Sequence, residues 1–144
     1  MYLTGGRIID QEGKIISSII AGENIIFEFD YTSKTMLRDV DVTLTIYNQF
    51  GVAVTNSTTA LTIGKIDNLG LKGHIKFIVK KSPFPLGNYR VAIAIHSSGQ
   101  LVDHINNALV FSVDSSIFFP SLRTPNNKYC AIMIDHSWEH EKLL

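Results

Sequence analysis

The chain has 144 residues, a length that suits one domain with a single core, and 45% of them are hydrophobic. Lys and Arg together number 13, as do Asp and Glu, so the charge balance gives no reason to expect nucleic acid or anionic lipid as a partner. Apolar runs stay short of the ~20 residues that a membrane helix needs. The N-terminus lacks a signal-peptide pattern. The single cysteine, Cys130, excludes an intrachain disulfide, and we expect it to be a buried, inert thiol.

Short segments with alternating apolar and polar residues dominate the chain, and the clearest are residues 24–31, 40–47 and 88–97. No segment keeps a helical period over three turns. The pattern therefore predicts an all-β protein, an antiparallel β-sandwich of the Ig-like or jelly-roll kind, with a partly ordered loop at 56–70. In chain order, the predicted strands are residues 3–9, 15–20, 24–31, 40–47, 52–55, 71–79, 88–97, 101–103, 109–113 and 128–135.

The C-terminal part of this single domain, residues 1–144, has its own organisation. Residues 115–127 contain two prolines and an Asn pair, which favour a connector without helix. Residues 128–135 are predicted to form a terminal strand, and 136–144 a polar tail. A strand on such a connector could pack on its own domain or be exchanged with a second copy in a dimer.

The tail contains His136-Ser137-Trp138-Glu139-His140, which matches the H-x-x-E-H pattern of zinc peptidases. That chemistry needs both histidines on one face of a helix and a third ligand elsewhere. Too little chain follows to hold a helix in place, so we expect a solvated tail with a packed Trp138 and no metal. Nucleotide-binding glycine motifs are missing from the sequence, and we expect no cofactor.

Paired carboxylates on predicted strands, Glu28 with Asp30 and Asp39 with Asp41, match the residue types of a glycosidase. Alternating acids on an exposed strand face more commonly serve solvation and protect a sheet edge. A glycosidase is therefore the weakest of the alternatives, and we expect the domain not to be an enzyme.

The strand at 88–97 has an unusual outer face. Tyr89, Val91, Ile93 and Ile95 alternate on the face that points to the core. The opposite face carries Arg90, Ala92, Ala94 and His96, so two small residues lie between a cation and a histidine. Small side chains on an outer face leave a shallow floor on which a ligand can lie.

If strands 24–31, 40–47 and 88–97 share one sheet, their outer faces form a candidate carbohydrate site. Tyr47 would stack on a sugar ring, Arg90 and His96 would contact polar or anionic groups, and the alanines would form the floor. A plain solvated sheet face is the alternative. The candidate site residues are Asp30, Thr43, Thr45, Tyr47, Arg90, Ala92, Ala94 and His96.

The order and spacing of several stretches resemble the C-terminal domain of Wzt, the ATPase subunit of the ABC exporter for lipopolysaccharide O-antigen. The resemblance covers residues 3–138. The matching stretches are Gly22-Glu23, Ile46-Tyr47-Asn48-Gln49-Phe50-Gly51-Val52, Thr55-Asn56-Ser57, residues 86–96, Phe111-Ser112-Val113 and His136-Ser137-Trp138.

The resemblance implies a β-sandwich that binds O-antigen polysaccharide in the cytoplasm and couples this recognition to export. It also implies a homodimer, and as further partners a nucleotide-binding domain of the same polypeptide and the transmembrane subunit of an exporter at the inner membrane. On this basis we expect an excised C-terminal domain with an added Met1. The rival hypothesis is an Ig-like module without a sugar ligand that binds protein through an exposed strand edge.

Overall fold

Two β-sheets pack face to face in a computed structural model, which describes residues 1–143. One sheet has the strand order β2-β1-β4-β7 and the other the order β3-β9-β8-β5-β6. The predicted all-β sandwich is therefore confirmed. The strands are β1 (Tyr2–Ile9), β2 (Ile15–Ile16), β3 (Ser18–Ala21), β4 (Ile25–Thr32), β5 (Val40–Asn48), β6 (Ala53–Thr58), β7 (Lys72–Val79), β8 (Gly87–Ser97) and β9 (Gln100–Ser116), with a 3-10 turn at Thr59–Leu61 after β6.

Neighbouring strands pair antiparallel, except that β3 runs parallel to β9. Strand β9 joins the two pieces predicted at 101–103 and 109–113, because residues 106–108 form a bulge opposite Ala92. A two-residue turn connects β8 to β9. Ser98 and Gly99 both have positive φ, 49° and 79°, which matches the twist of a tight hairpin. This hairpin places β8 at the centre of the five-stranded sheet.

The core lies between the sheets and is rich in aromatic rings. Phe27, Phe84 and Tyr89 all pack around Phe111, and the Tyr89 ring stacks on the Phe111 ring with centroids 5.0 Å apart. The Tyr89 hydroxyl donates a hydrogen bond of 2.6 Å to the Pro85 carbonyl, which satisfies its only polar group inside the core. The inward face predicted for β8 is confirmed, since its alternate residues from Tyr89 to Ile95 are buried.

The terminal strand predicted at residues 128–135 is wrong, because this segment contains no strand. The chain instead runs beside residues 83–86. Leu86 exchanges backbone hydrogen bonds with Pro125 and Asn127 (3.0 and 2.8 Å), and the Met133 amide donates to the Pro83 carbonyl (2.7 Å). Pro83 and Pro85 have no amide hydrogen, so the contact cannot continue as a ladder. Met133 is buried and anchors the segment to the core.

The tail also differs from the prediction in its aromatic residue. Trp138 is 87% exposed rather than packed. Residues 136–140 form no helix, and the His136 ring lies against Phe119 with centroids 5.4 Å apart. Cys130 is partly buried, and this burial raises the pKa of its thiol. Within residues 1–143, no helix is long and apolar enough to cross a membrane.

Candidate functional site

The outer face of the five-stranded sheet carries all the predicted site residues except Asp30. Strands β5 and β8 are neighbours, and their register places Thr43 opposite Ala94 and Thr45 opposite Ala92. Cross-strand partners point to the same side of a sheet. The outer-face residues therefore form a ladder of opposite pairs. The pairs along this ladder are Asp41–His96, Thr43–Ala94, Thr45–Ala92 and Tyr47–Arg90.

Asp30 does not belong to this face, so the prediction that it lies beside the other candidate residues is wrong. It lies on β4, which is in the four-stranded sheet on the other side of the core. Its carboxylate accepts hydrogen bonds from Arg7 and from the His74 ring, and the Arg7 guanidinium holds the pKa of Asp30 below its usual range. The alternating pattern of a strand shows which residues share its face, but it does not show which sheet the strand joins.

Arg90 and Tyr47 form a stacked pair at one end of the ladder. The guanidinium carbon of Arg90 lies 3.9 Å from the centroid of the Tyr47 ring, within the range of a cation–π interaction. Arg90 Nη1 also donates a hydrogen bond of 3.2 Å to the Asn106 carbonyl in the bulge of β9. One face of the Tyr47 ring is thus covered, and a sugar could stack only on the other face or on the guanidinium plane.

The floor beside this pair is partly closed by its neighbours. Ala92 is only 7% exposed, and Thr45 is buried, with its hydroxyl accepting a 2.9 Å hydrogen bond from the Asn56 side chain of β6. Ala94 is more accessible than Ala92. The accessible part of the predicted floor therefore lies around Ala94, between Thr43 and His96.

A groove of about 570 Å³ opens next to Arg90, where β5 ends and β8 begins. This polar groove extends across the sheet from the turn after β5 to the residue before β3. Its volume falls within the range of small-ligand sites. The groove is lined by Ser17, Asn48, Gln49, Gly51, Asn88, Tyr89, Arg90, Val110, Phe111 and Ser112.

Two side-chain amides in the polar groove have fixed orientations. Asn48 Oδ1 accepts hydrogen bonds from the backbone amides of Phe50 (2.9 Å) and Val52 (3.1 Å), so the turn after β5 holds it in place. Gln49 Oε1 accepts from the Asn88 amide at 2.7 Å and from the Asn127 side chain at 3.1 Å. Because backbone N–H groups only donate, the atoms facing them must be the amide oxygens.

Asn127 connects the polar groove to the C-terminal segment. Its side chain is 4% exposed and lies against Gly87, where an added Cβ would come within 2.1 Å of the Asn127 amide nitrogen. Gly87 also has a φ of 150°, which side chains disfavour. A glycine at position 87 therefore lets Asn127 reach Gln49.

The sequence hypothesis identified Arg90 but missed its neighbours in the polar groove. Asn88 could have been found, because it shares the outer face of β8 with Arg90 at a spacing of two residues. Ser112 and Ser17 could not have been found this way. Their positions depend on how β9 pairs with β8 and with the chain before β3. Ser17 and Ser112 are more than 90 residues apart in the sequence, so no local pattern connects them.

The other candidate chemistry has a structural explanation. The carboxylates of Glu28 and Asp30 both bind Arg7, so the suggested glycosidase pair is part of an ion cluster with His74 and Lys76. Among residues 1–143, no three His, Cys, Asp or Glu side chains are grouped closely enough to hold a metal ion.

The fold and the polar groove define a β-sandwich domain with a surface groove on the outer face of one sheet. A family model described as "Wzt C-terminal domain" matches residues 3–124 of this chain. The chain belongs to this family of Wzt C-terminal domains.

Comparison with solved structures supports the fold. The chain is similar to a structure described as the C-terminal domain of Wzt, with a TM-score of 0.75, 14% identity and coverage of 94% of this chain and 81% of the other. A putative β-galactosidase from Bacteroides fragilis matches less well, with a TM-score of 0.46 and 15% identity over 72% of this chain and 16% of the enzyme. A search of curated proteins gave no match to this chain.

Proposed function

We propose that this domain recognises a bacterial O-antigen polysaccharide without catalysis and couples this binding to export by an ABC transporter. The observation that carries the proposal is the polar groove on the outer face that also holds the Ala94 floor, in a chain of the Wzt C-terminal domain family. Arg90 belongs to both parts of this surface. A chain-like ligand fits such an extended, open site better than a compact metabolite does.

The side chains of this surface provide the two kinds of contact that sugars need. Asn88, Gln49 and Ser112 offer hydrogen-bonding groups to hydroxyls, and Val110 is 67% exposed and offers an apolar surface to the C–H face of a ring. An open surface buries less of a ligand than an enclosed pocket does. We therefore expect modest affinity, in the micromolar to millimolar range of about 4–8 kcal/mol.

We also propose that the domain works as a homodimer. Large apolar residues of the C-terminal segment are exposed in a single copy, among them Tyr129 (79%), Ile134 (70%) and Trp138 (87%). A second copy that covers these residues, with or without exchange of the segment, would remove this apolar surface from water. The further proposed partners are a nucleotide-binding domain of the same polypeptide and the transmembrane subunit, with the domain on the cytoplasmic side of the inner membrane.

One observation favours the rival function, a module that binds protein. An apolar cavity of about 360 Å³ opens at the sandwich edge between β6 and β7, with the exposed Leu61 and Ile63 beside it. Both flanking strands are edge strands with free backbone groups, which is the geometry of strand addition.

Calorimetry of the purified domain with polysaccharide tests the proposal. The domain should bind polysaccharide from its strain of origin and fail to bind that of an unrelated serotype. Release of reducing ends from the bound polysaccharide would indicate a glycosidase instead. No heat with either polysaccharide would contradict the proposed function and favour the protein-binding module.

A further inference from the structure

The part of the polar groove around Gln49 and Arg90 presents hydrogen-bond donors. The side-chain oxygen of Gln49 accepts from the Asn88 amide and from the Asn127 side chain, so only its NH₂ group remains for a ligand. This NH₂ group has no hydrogen-bond acceptor among residues 1–143. Each amide nitrogen carries two N–H donors and no acceptor. Asn48 is 5% exposed and is the cross-strand partner of inward-facing Tyr89, so its side chain points away from the outer face. Gln49 is exposed, and its side chain faces the groove as a donor only.

Arg90 adds a positive charge to these donors. Its guanidinium has five N–H donors, and its observed hydrogen bond is that of Nη1 to the Asn106 carbonyl. Arg90 forms no ion pair with a carboxylate within residues 1–143, and it is the only charged residue of the groove lining. Stacking on Tyr47 limits the freedom of the side chain, so less entropy is lost when a ligand binds.

The closest acid along β9 does not neutralise this charge. Asp114 accepts hydrogen bonds from the hydroxyls of Ser18 (2.6 Å) and Ser112 (3.2 Å). It lies four residues beyond Val110, the cross-strand partner of Arg90, which corresponds to roughly 13 Å along the strand. Asp114 thus orients the Ser112 hydroxyl at the end of the groove away from Arg90.

We propose that the polar groove is a subsite for an anionic group, a carboxylate or a phosphate, carried by a sugar of the bound polysaccharide. This inference rests on the proposed function and specifies the class of glycan. Arg90 binds the anion through paired N–H groups, and the NH₂ group of Gln49 donates to a remaining oxygen. A neutral sugar hydroxyl both donates and accepts, so a donor-rich, positively charged lining selects against it in favour of an anion.

A single substitution can remove the NH₂ donor of Gln49 and keep the hydrogen bonds that Gln49 accepts within the fold. Gln49→Glu keeps the oxygen that accepts from Asn88 and Asn127, but it replaces the NH₂ group with a second, charged oxygen. The matched control is Gln11→Glu, because Gln11 Oε1 also accepts from a backbone amide, that of Asn24, at 3.2 Å on an exposed surface away from the groove. Both variants change the net charge equally.

Calorimetry would compare wild type, Gln49→Glu and Gln11→Glu with three ligands: native polysaccharide from the strain of origin, the same polysaccharide after reduction of its carboxyl groups, and the same polysaccharide after removal of phosphate. Thermal unfolding would show that both variants fold. We expect Gln49→Glu to bind native polysaccharide at least about tenfold more weakly, since a like charge replaces a donor, and Gln11→Glu to bind normally.

One of the two chemical treatments should weaken wild-type binding by at least about tenfold, and it identifies the anion as carboxylate or phosphate. Equal binding of native and treated polysaccharide, or normal binding by a folded Gln49→Glu, would overturn the anionic subsite and leave the proposed function intact. If wild type does not bind native polysaccharide, both the anionic subsite and the proposed function are overturned.

Discussion

Gly87 lets Asn127 hold the polar groove together, and substitution of this glycine should reveal the connection. Gly87→Ala places a Cβ within 2.1–2.6 Å of the Asn127 side-chain atoms, in a backbone conformation with a φ of 150°. The strained backbone alone costs about 1–3 kcal/mol. Displacement of buried Asn127 breaks its 3.1 Å bond to Gln49 and adds about 1–3 kcal/mol. We expect a total loss of about 2–6 kcal/mol.

Gly99→Ala is the matched control. Gly99 also has positive φ, 79°, but a Cβ there would meet no atom within 4 Å, so the cost is about 1–2 kcal/mol of backbone strain. Urea unfolding, followed by circular dichroism, measures the free energy of unfolding of both variants. With a slope of about 2 kcal/mol per molar urea, Gly87→Ala should lower the midpoint by roughly 1–3 M and Gly99→Ala by less than about 1 M.

A double mutant identifies the cause. Truncation of Asn127 to Ala removes the overlapping amide, so Gly87→Ala should cost about 1–2 kcal/mol less in the Asn127→Ala background than in the wild type. Two results would show that the contact with Asn127 is not the cause. Gly87→Ala would destabilise the domain no more than Gly99→Ala does, or it would lower the free energy of unfolding equally in the wild-type and Asn127→Ala backgrounds. Because Gln49 loses an anchor, Gly87→Ala should also weaken polysaccharide binding.

Three further predictions test the floor and the ionisable groups. Ala94→Trp should fill the accessible floor and weaken polysaccharide binding at least about tenfold in calorimetry. The control Ala131→Trp, at an exposed position, should have no effect on binding. Normal binding by Ala94→Trp would place the site elsewhere. Because Arg7 lowers the pKa of Asp30, the stability from this carboxylate is present above the ordinary Asp pKa and is lost as the pH falls through its lowered value. The destabilisation caused by Asp30→Asn in urea unfolding should therefore disappear between about pH 5 and pH 2, and a constant difference would refute this. Burial raises the pKa of Tyr89 to about 12. The stability contributed by the buried, protonated Tyr89 side chain is therefore complete below about pH 10 and is lost as the pH rises toward 12. Wild type should lose more stability than Tyr89→Phe over this range, and parallel losses in the two proteins would contradict this prediction.

Much of the fold followed from local pattern. The alternation in β4, β5 and β8 predicted strands whose bounds differ from the structure by at most one residue at each end, and it predicted which residues point to the core. Burial on one face imposes a period of two on the sequence, and this signal is local. The turn between the strands predicted at 88–97 and 101–103 is also a local feature, since glycine favours positive φ.

The errors concern pairing between distant segments. Asp30 was placed on the wrong sheet because alternation carries no information about the neighbouring strand. Residues 128–135 have the composition of a strand, but their neighbour contains Pro83 and Pro85 and cannot form a ladder. The donor character of Gln49 was also invisible, because it depends on the Asn88 amide and on Asn127, which is 78 residues away in the sequence.

The most direct test of the account is a map of where polysaccharide contacts the domain. Backbone amide chemical shifts of the isotope-labelled domain would be recorded while a fragment of the polysaccharide from the strain of origin is added. If polysaccharide binds the polar groove and the Ala94 floor, the shifted amides should cluster at residues 48–51, 88–96 and 110–112 of the five-stranded sheet. Shifts that cluster instead around Arg7 and His74 on the four-stranded sheet, or along β6 and β7, would contradict it.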